Sequence, residues 1–365
     1  MTSLNLQRLD RQDIDRIDSH SEPGLADDTS NRPRSLQFIT SDRVGAVLAA
    51  TGRTEDVRFS PDNGRLVVAG YGLQHLLILR IRLQQGPLGP VVLADDFMRL
   101  TSSGISSVHG LDFIDEQTLA VANRDGFVSI IRIPEGEPGG RILSVDPLSE
   151  IAGSLLCRMN SPGSIAVRRI RGGKVSLLVC NNYIHRVTQH IIDPAKGYRV
   201  KRNTVLVERS LDIPDGIAVS QDGQWIAVSN HSTQEVLLFD ARWPLSRFSR
   251  PAGILTGTCY PHGLRFTPDD RHLLVADAGA PVVVAYEKGL SWAGTRGPLS
   301  TTTVLDDDTF RRGHANPQEG GPKGIDIDRK GTIVAVTCEE QALAFYALDF
   351  IINGQAPGKS QLPAR

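Results

Sequence analysis

No stretch of this chain approaches 18 consecutive apolar residues, the length a membrane-crossing helix needs. Neither sign of charge is in excess: 40 Lys and Arg stand against 41 Asp and Glu. At a formal net charge of −1, no bulk field draws the chain to nucleic acid or to an anionic membrane. Cysteine is scarce. Cys157, Cys180, Cys259 and Cys338 form no CxxC pair, so neither a zinc knuckle nor a thioredoxin-like site is indicated. GxSxG, P-loop, GxGxxG and HExxH patterns are missing, which leaves serine-hydrolase, nucleotide, flavin and zincin chemistry without local support. The opening residues MTSLNLQRLDRQDIDRID lack the apolar run of a signal peptide. Together with cysteines that read as small buried hydrophobes, this makes the cytoplasm the expected address.

What the chain has is turns, with 35 Gly and 21 Pro, and one repeated unit. Its clearest copy is residues 214–240, PDGIAVSQDGQWIAVSNHSTQEVLLFD. Ile217 and Val219, then Ile226 and Val228, alternate with smaller or polar residues, the period of strands. Gln221-Asp222-Gly223 is a turn and residues 236–239 form a third strand. Six segments align with this unit. Using Gly as the register mark, and Asp56 in its place in the first copy, the marks are 56, 110, 163, 216, 263 and 324, on average about 54 residues apart. Room remains in each unit for a fourth strand, for which PVVLADD, RILSVDP, NTVLVER, AGILTG and STTTVLD are the candidates.

The expected fold is therefore all-β: a six-bladed β-propeller of four-stranded antiparallel blades. An open solenoid is the alternative, but a ring removes exposed edges. The segments LQFIT and VGAVLAA read as N-terminal strands that complete the last blade and close the ring. Residues 1–35 read as a flexible polar arm, 36–352 as a single propeller domain and 353–365 as a flexible tail.

This architecture puts two rings of side chains on one face. The inner ring is Glu55 with Asp56, His109, Pro162, Asp215, His262 and Lys323. The outer ring is Tyr71, Asn123, Asn181 with Asn182, Asn230 with His231, Asp277, and Glu339 with Glu340. The long segment 306–321 is expected over or beside that face. Glu55, Asp56 and Asp215, backed by Asn123, Asn182, Asn230 or Asp277, are hard oxygen donors of the kind calcium needs. His109 and His262 suit zinc or iron, or the movement of protons. The competing reading of these histidines is that they fix loops, of Asp215 that it caps a turn, and of Lys323 that it neutralises the acidic ring.

The repeated PDGIAVSQDGQWIAVSN resembles the six-bladed propellers of the gluconolactonase and paraoxonase type, which are calcium-dependent hydrolases, and more loosely NHL repeats; the likeness spans roughly residues 50–350. TGRTEDVRFSPDNGRLVVAG is similar to the paraoxonase segment whose Glu-Asp pair binds calcium, which implies that role for Glu55 and Asp56. His109-Gly110-Leu111 resembles a His-Gly-Ile segment whose His is catalytic, and Asp215 stands where a calcium ligand precedes Gly. The pattern departs at Pro162 and His262, where Asn or Asp is expected. Asn160 is the nearest substitute for the first. Arg124 stands where the second His of the paraoxonase pair is expected.

Three functions remain open from the sequence. The first is a metal-dependent hydrolase of a lactone or ester, with a divalent metal, calcium for preference, held by Glu55, Asp56, Asn160, Asn182 and Asp215, and His109 and His262 as catalytic groups. The second is a non-catalytic propeller that binds a small molecule or a protein partner on the same face through Asn123, Asn230, His231, Asp277 and Lys323. The third is a lyase or isomerase with a His acid/base pair.

Overall fold

A computed structural model of the protein describes residues 34–87, 89–314 and 316–354. They form six sheets arranged as a propeller. Blade 1 comprises strands Thr54–Phe59, Arg65–Gly70, His75–Gly86 and Gly89–Thr101. Blade 2 comprises Val108–Asp115, Thr118–Asn123, Phe127–Arg132 and Ser149–Ala152. Blade 3 comprises Pro162–Ile170, Lys174–Asn181, Arg186–Asp193 and Arg199–Val207. Blade 4 comprises Pro214–Val219, Trp225–Asn230, Glu235–Asp240 and Gly253–Leu255, and blade 5 Pro261–Phe266, His272–Asp277, Val282–Glu287 and Ser300–Thr303. Blade 6 has three strands, Pro322–Ile327, Ile333–Cys338 and Ala344–Ala347. No helix among the described residues is long and apolar enough to cross a membrane.

The strands read as nearly continuous apolar runs because each blade is covered on both faces. Leu66 and Val68 of blade 1 pack toward blade 6, and the alternate residues Val67 and Ala69 toward blade 2. The same division holds around the ring, so six apolar clusters fill the six junctions between blades. Each fully buried Leu, Ile, Val or Phe contributes about 1.5–3 kcal/mol relative to exposure.

Two expectations about closure are corrected. VGAVLAA lies in a helix, Asp42–Thr51, and is not a strand. Ser41 caps it, its hydroxyl accepting the Val44 amide at 3.4 Å, and Asp42 stands in the first turn. Val44 and Leu48, four residues apart, pack into the cluster between blades 1 and 6. LQFIT does give a strand, Gln37–Thr40, but it pairs in parallel with Val91–Ala94 of blade 1 and does not complete the last blade. Its link to blade 6 is a backbone bond from the Leu36 amide to the Phe345 carbonyl at 2.7 Å. The expected fourth strand RILSVDP likewise runs parallel to the edge of blade 1, and Ser149–Ala152 is the outer strand of blade 2. The expected arm and most of the tail, residues 1–33 and 355–365, lie outside the described residues.

The ring closes through its inner strands. The Asp326 carboxylate of blade 6 accepts the Phe59 amide of blade 1 at 2.8 Å and the Arg265 guanidinium of blade 5 at 3.0 Å. The Thr54 hydroxyl of blade 1 donates to the Cys338 carbonyl of blade 6 at 3.0 Å. Asp56 and Asp112 make the same kind of latch, accepting the Leu111 and Val167 amides of the next blade at 3.0 and 2.7 Å. Replacing Asp326 with Ala strands Arg265 and opens the closing latch, so D326A should lower unfolding stability by about 3 kcal/mol, read as a shift in the urea midpoint at constant m.

Candidate functional site

One irregularity builds the site. In all six blades the register of the inner pair of strands slips at the top of the inner strand, between 54 and 57, 108 and 110, 162 and 165, 214 and 217, 261 and 264, and 322 and 325. A bulge leaves one residue unpaired and re-aims its side chain. The residues within or at these slips are Glu55, His109, Gly163, Asp215, His262 and Lys323. In blades 4 and 5 the residue that follows is a glycine for a steric reason. A Cβ on Gly216 would lie 2.0 Å from the His262 carbonyl, and one on Gly263 2.4 Å from the Lys323 carbonyl. Backbones of neighbouring blades touch at the channel mouth, and only glycine lets them. The approach is reinforced by left-handed residues two positions before the slip, Ser107, Ser161 and Ile213, with φ of 48°, 49° and 53°.

The sequence alignment is off by one in blade 3. Pro162 pairs with Asn181, as Pro214 pairs with Asn230, so Gly163 takes the inner position and Ser164 the register mark. Gly163 has no side chain, and the space is taken by neighbours. A Cβ there would come within 2.5 Å of Asn182 Oδ1 and of Asp215 Oδ1.

The outer ring divides by one residue as well. Asn123, Asn230 and Asp277, expected to contact a ligand, have their polar atoms engaged in loops. Their side-chain oxygens accept the amides of Ser106, Asp212 and Cys259 at 3.0, 2.6 and 2.7 Å. Asn181 does the same for Asn160, whose own side chain belongs to an exposed residue. In blades 2, 3, 4 and 6 the residue after each second strand turns inward instead: Arg124, Asn182, His231 and Glu339. Asp56 points away from the cluster. Its carboxylate pairs with Arg58 at 2.6 Å inside the channel, and burial raises its pKa to about 6.

Asp215, His109, His231, His262, Glu55, Asn182 and Lys323 are all buried. His262 Nε2 lies 3.0 Å from Asp215 Oδ2 and 3.6 Å from Glu55 Oε2. His109 Nε2 is 3.3 Å from Glu55 Oε2, and His231 Nε2 is 3.7 Å from Asp215 Oδ2. The rings of His109 and His262 stack with centroids 5.2 Å apart. Two triads, Glu55–His109–His262 and Asp215–His231–His262, each bring three donor atoms within 4.8 Å of one another.

The remaining carboxylate oxygens are answered by cations. Glu55 Oε1 receives Arg53 and, at 3.3 Å, Lys323. Lys323 also pairs with Glu339 at 3.0 Å and with Glu319 at 2.9 Å, so the long segment 306–321 does reach the cluster. Asp215 Oδ1 accepts Arg124 at 3.2 Å and Asn182 at 2.8 Å. Burial alone would raise the carboxyl of Glu55, but Lys323, His109 and Arg53 outweigh it and hold the group ionised, well below the usual range. Asp215 is likewise held low against burial by His262, His109, His231 and Arg124. Burial, with Arg124 adding to it, depresses His109 to about 3, and burial depresses His231 to about 4. Both are neutral near pH 7. Lys323 is held charged against burial by Glu55 and Glu319.

Tautomers follow from the partners. His109 Nδ1 faces the Gly163 carbonyl at 3.0 Å, and a carbonyl only accepts, so Nδ1 carries the proton. The lone pair of Nε2 then faces the cluster and accepts Arg124 Nη2 at 2.6 Å. Within the cluster, four buried ligand atoms have no hydrogen-bond partner: Glu55 Oε2, Asp215 Oδ2, Asn182 Oδ1 and His231 Nε2. Uncompensated carboxylate oxygens are costly in a dry site, and a divalent cation between them would answer the cost. The donors present fit such an ion.

Arg124, Gly163 and Glu319 were not among the expected site residues. In the sequence Arg124 stands only as a departure from the paraoxonase pattern, and Gly163 only as a register mark. A cavity of about 720 Å³ lies at the other end of the channel, lined by Arg58, Asp112, Arg169, Arg265 and Asp326, and holds none of the cluster.

No family model and no curated protein matches the chain. Solved structures do. The chain is similar to a functionally unknown protein from Desulfotomaculum acetoxidans, with 14% identity over 81% of this chain and 83% of that one, at a TM-score of 0.52. It is similar to a protein named as a candidate gluconolactonase, with 12% identity over 87% and 93% of the two chains, at a TM-score of 0.53. These identities speak to fold alone: the chain is a six-bladed β-propeller, with a His–carboxylate cluster at the mouth of its channel.

The site analysis predicts a separation of effects in Gly163→Ala. The added methyl forces Asn182 and Asp215 apart, so a cation-induced rise in melting temperature should shrink by more than half. The circular dichroism spectrum should stay that of the native β-fold.

Proposed function

We propose that the channel mouth is the active site of a metal-dependent hydrolase acting on a lactone or ester. The observation that carries the reading is the set of four buried, unpartnered donor atoms, Glu55 Oε2, Asp215 Oδ2, Asn182 Oδ1 and His231 Nε2, around the imidazole of His262. Glu55, Asp215 and Asn182 are the oxygen donors through which calcium would be held. A divalent ion there supplies Lewis acidity to a carbonyl and lowers the pKa of a bound water.

The chain's own groups do the rest. His109 is neutral and anchored through Nδ1, so its Nε2 takes a proton from water as the new C–O bond forms and returns it to the leaving alkoxide. Arg124 bridges His109 Nε2 and Asp215 Oδ1 and is one-fifth exposed. It is the donor placed to move between the resting imidazole and a developing oxyanion. Lys323 and Arg53 keep Glu55 ionised and oriented.

Glu55→Gln should lower kcat/KM on γ-lactones, δ-lactones or aryl esters by about 100-fold or more, and His109→Gln by a similar factor with metal content unchanged. If the native protein binds metal and turns over no lactone or ester, the same face acts in ligand binding without catalysis and the hydrolase reading falls.

A further inference from the structure

The donors at the mouth are not those calcium selects. We infer that the site takes a nitrogen-preferring dication of the zinc class, held by Asp215, His231 and His262 with a fourth position left open. This rests on the reading that the cluster holds a divalent ion, and concerns which one.

The oxygen count is short for calcium. Calcium takes six to eight oxygen ligands. Glu55 Oε1 is taken by Arg53 and Lys323, and Asp215 Oδ1 by Arg124 and Asn182. Asp56 is spent on Arg58, and the Gly163 carbonyl on His109. Among the cluster's buried side chains this leaves three oxygens, Glu55 Oε2, Asp215 Oδ2 and Asn182 Oδ1, without partners.

Nitrogen donors fill the mouth instead. His262 Nε2 sits between Asp215 Oδ2 and Glu55 Oε2, and His231 Nε2 lies 3.7 Å from Asp215 Oδ2 with no hydrogen-bond partner. Asp215 Oδ2 is thus 3.0 Å from one nitrogen and 3.7 Å from the other, and the three donors all lie within 4.8 Å of one another. A four-coordinate ion with bonds of about 2.0–2.1 Å has donor-to-donor edges of about 3.3 Å, close to these spacings. Imidazole is a ligand for zinc, iron and their neighbours, and a poor one for calcium. Asp215 bonds the ion directly, Glu55 adds a second negative charge 3.6 Å from His262 Nε2, and a ligand bound through an imidazole lone pair adds none. His109 is set apart because Arg124 occupies its Nε2. This leaves it to the proton transfer proposed for it.

The full-length protein, stripped with chelator and dialysed, is titrated separately with zinc, manganese and calcium chloride. Melting temperature and bound metal per chain are measured, and cobalt is added to follow its visible absorption. The expected result is one zinc per chain, a rise in melting temperature at micromolar zinc, and no comparable rise in millimolar calcium. Cobalt should give the intense visible bands of a four-coordinate site. His231→Gln and His262→Gln should each weaken binding about tenfold or more, and Asn230→Ala, a loop staple, should not. Calcium or manganese acting at lower concentration than zinc overturns the inference and leaves the metal-dependent hydrolase standing. Failure of every ion to bind overturns both. The cobalt spectrum of the native chain decides the matter even if a histidine variant does not fold.

Discussion

Everything at the channel mouth depends on the slip at the top of six inner strands. A regular strand would send alternate side chains into the junctions between blades, where they would meet leucine and valine. The extra residue turns one side chain toward the axis in five blades, and in blade 3 Gly163 leaves that space to its neighbours. Because the slip recurs at the same level in each blade, residues about 50 positions apart in sequence converge within a few ångströms. The cost of gathering ionisable groups there is met by the rigidity of the scaffold: apolar clusters at every junction hold the inner strands in place whether or not the mouth is electrostatically content.

The convergence is not symmetric, and the asymmetry is chemical. On one side Lys323, flanked by Glu339, Glu319 and Glu55, makes a ladder of fixed charges that leaves only one oxygen of Glu55, Oε2, facing the mouth. On the other side Asp215 meets Arg124, Asn182 and His231, and part of it stays unanswered. His262 stands where the two halves meet, within 3.6 Å of both carboxylates. Burial works in the same direction on both imidazoles whose shift is resolved there, keeping His109 and His231 neutral and therefore available as lone-pair donors.

Much of the fold was legible because the repeat has two independent signals, period-two strands and a glycine where neighbouring backbones meet. The signals failed where one residue served two meanings. In Pro162-Gly163-Ser164 the glycine holds the site position and not the mark, so blade 3 was read one residue early. VGAVLAA contains enough valine to pass for a strand, yet Ser41-Asp42 and the spacing of Val44 and Leu48 are helix signals that outweigh it. The inner ring was otherwise readable, since Glu55, His109, Asp215, His262 and Lys323 each precede the mark. The outer ring was readable only to within one residue. Asn123 and Asn230 end strands and staple loops, and the next residues, Arg124 and His231, face the axis. Telling these apart requires knowing which backbone amides lie nearby, and that is tertiary information.

The pair of Asp56 and Arg58 carries a consequence for how the molecule is divided. A positive charge built into the chain sits in the channel directly beneath the mouth, bonded to Asp56 and to the Val57 carbonyl. The shaft of the propeller is thus self-neutralised by covalently attached groups. The mouth is left as an exchangeable fitting above a shaft that carries its own counter-charge. Selection can alter the donors at the rim without reopening the question of whether the ring stays shut.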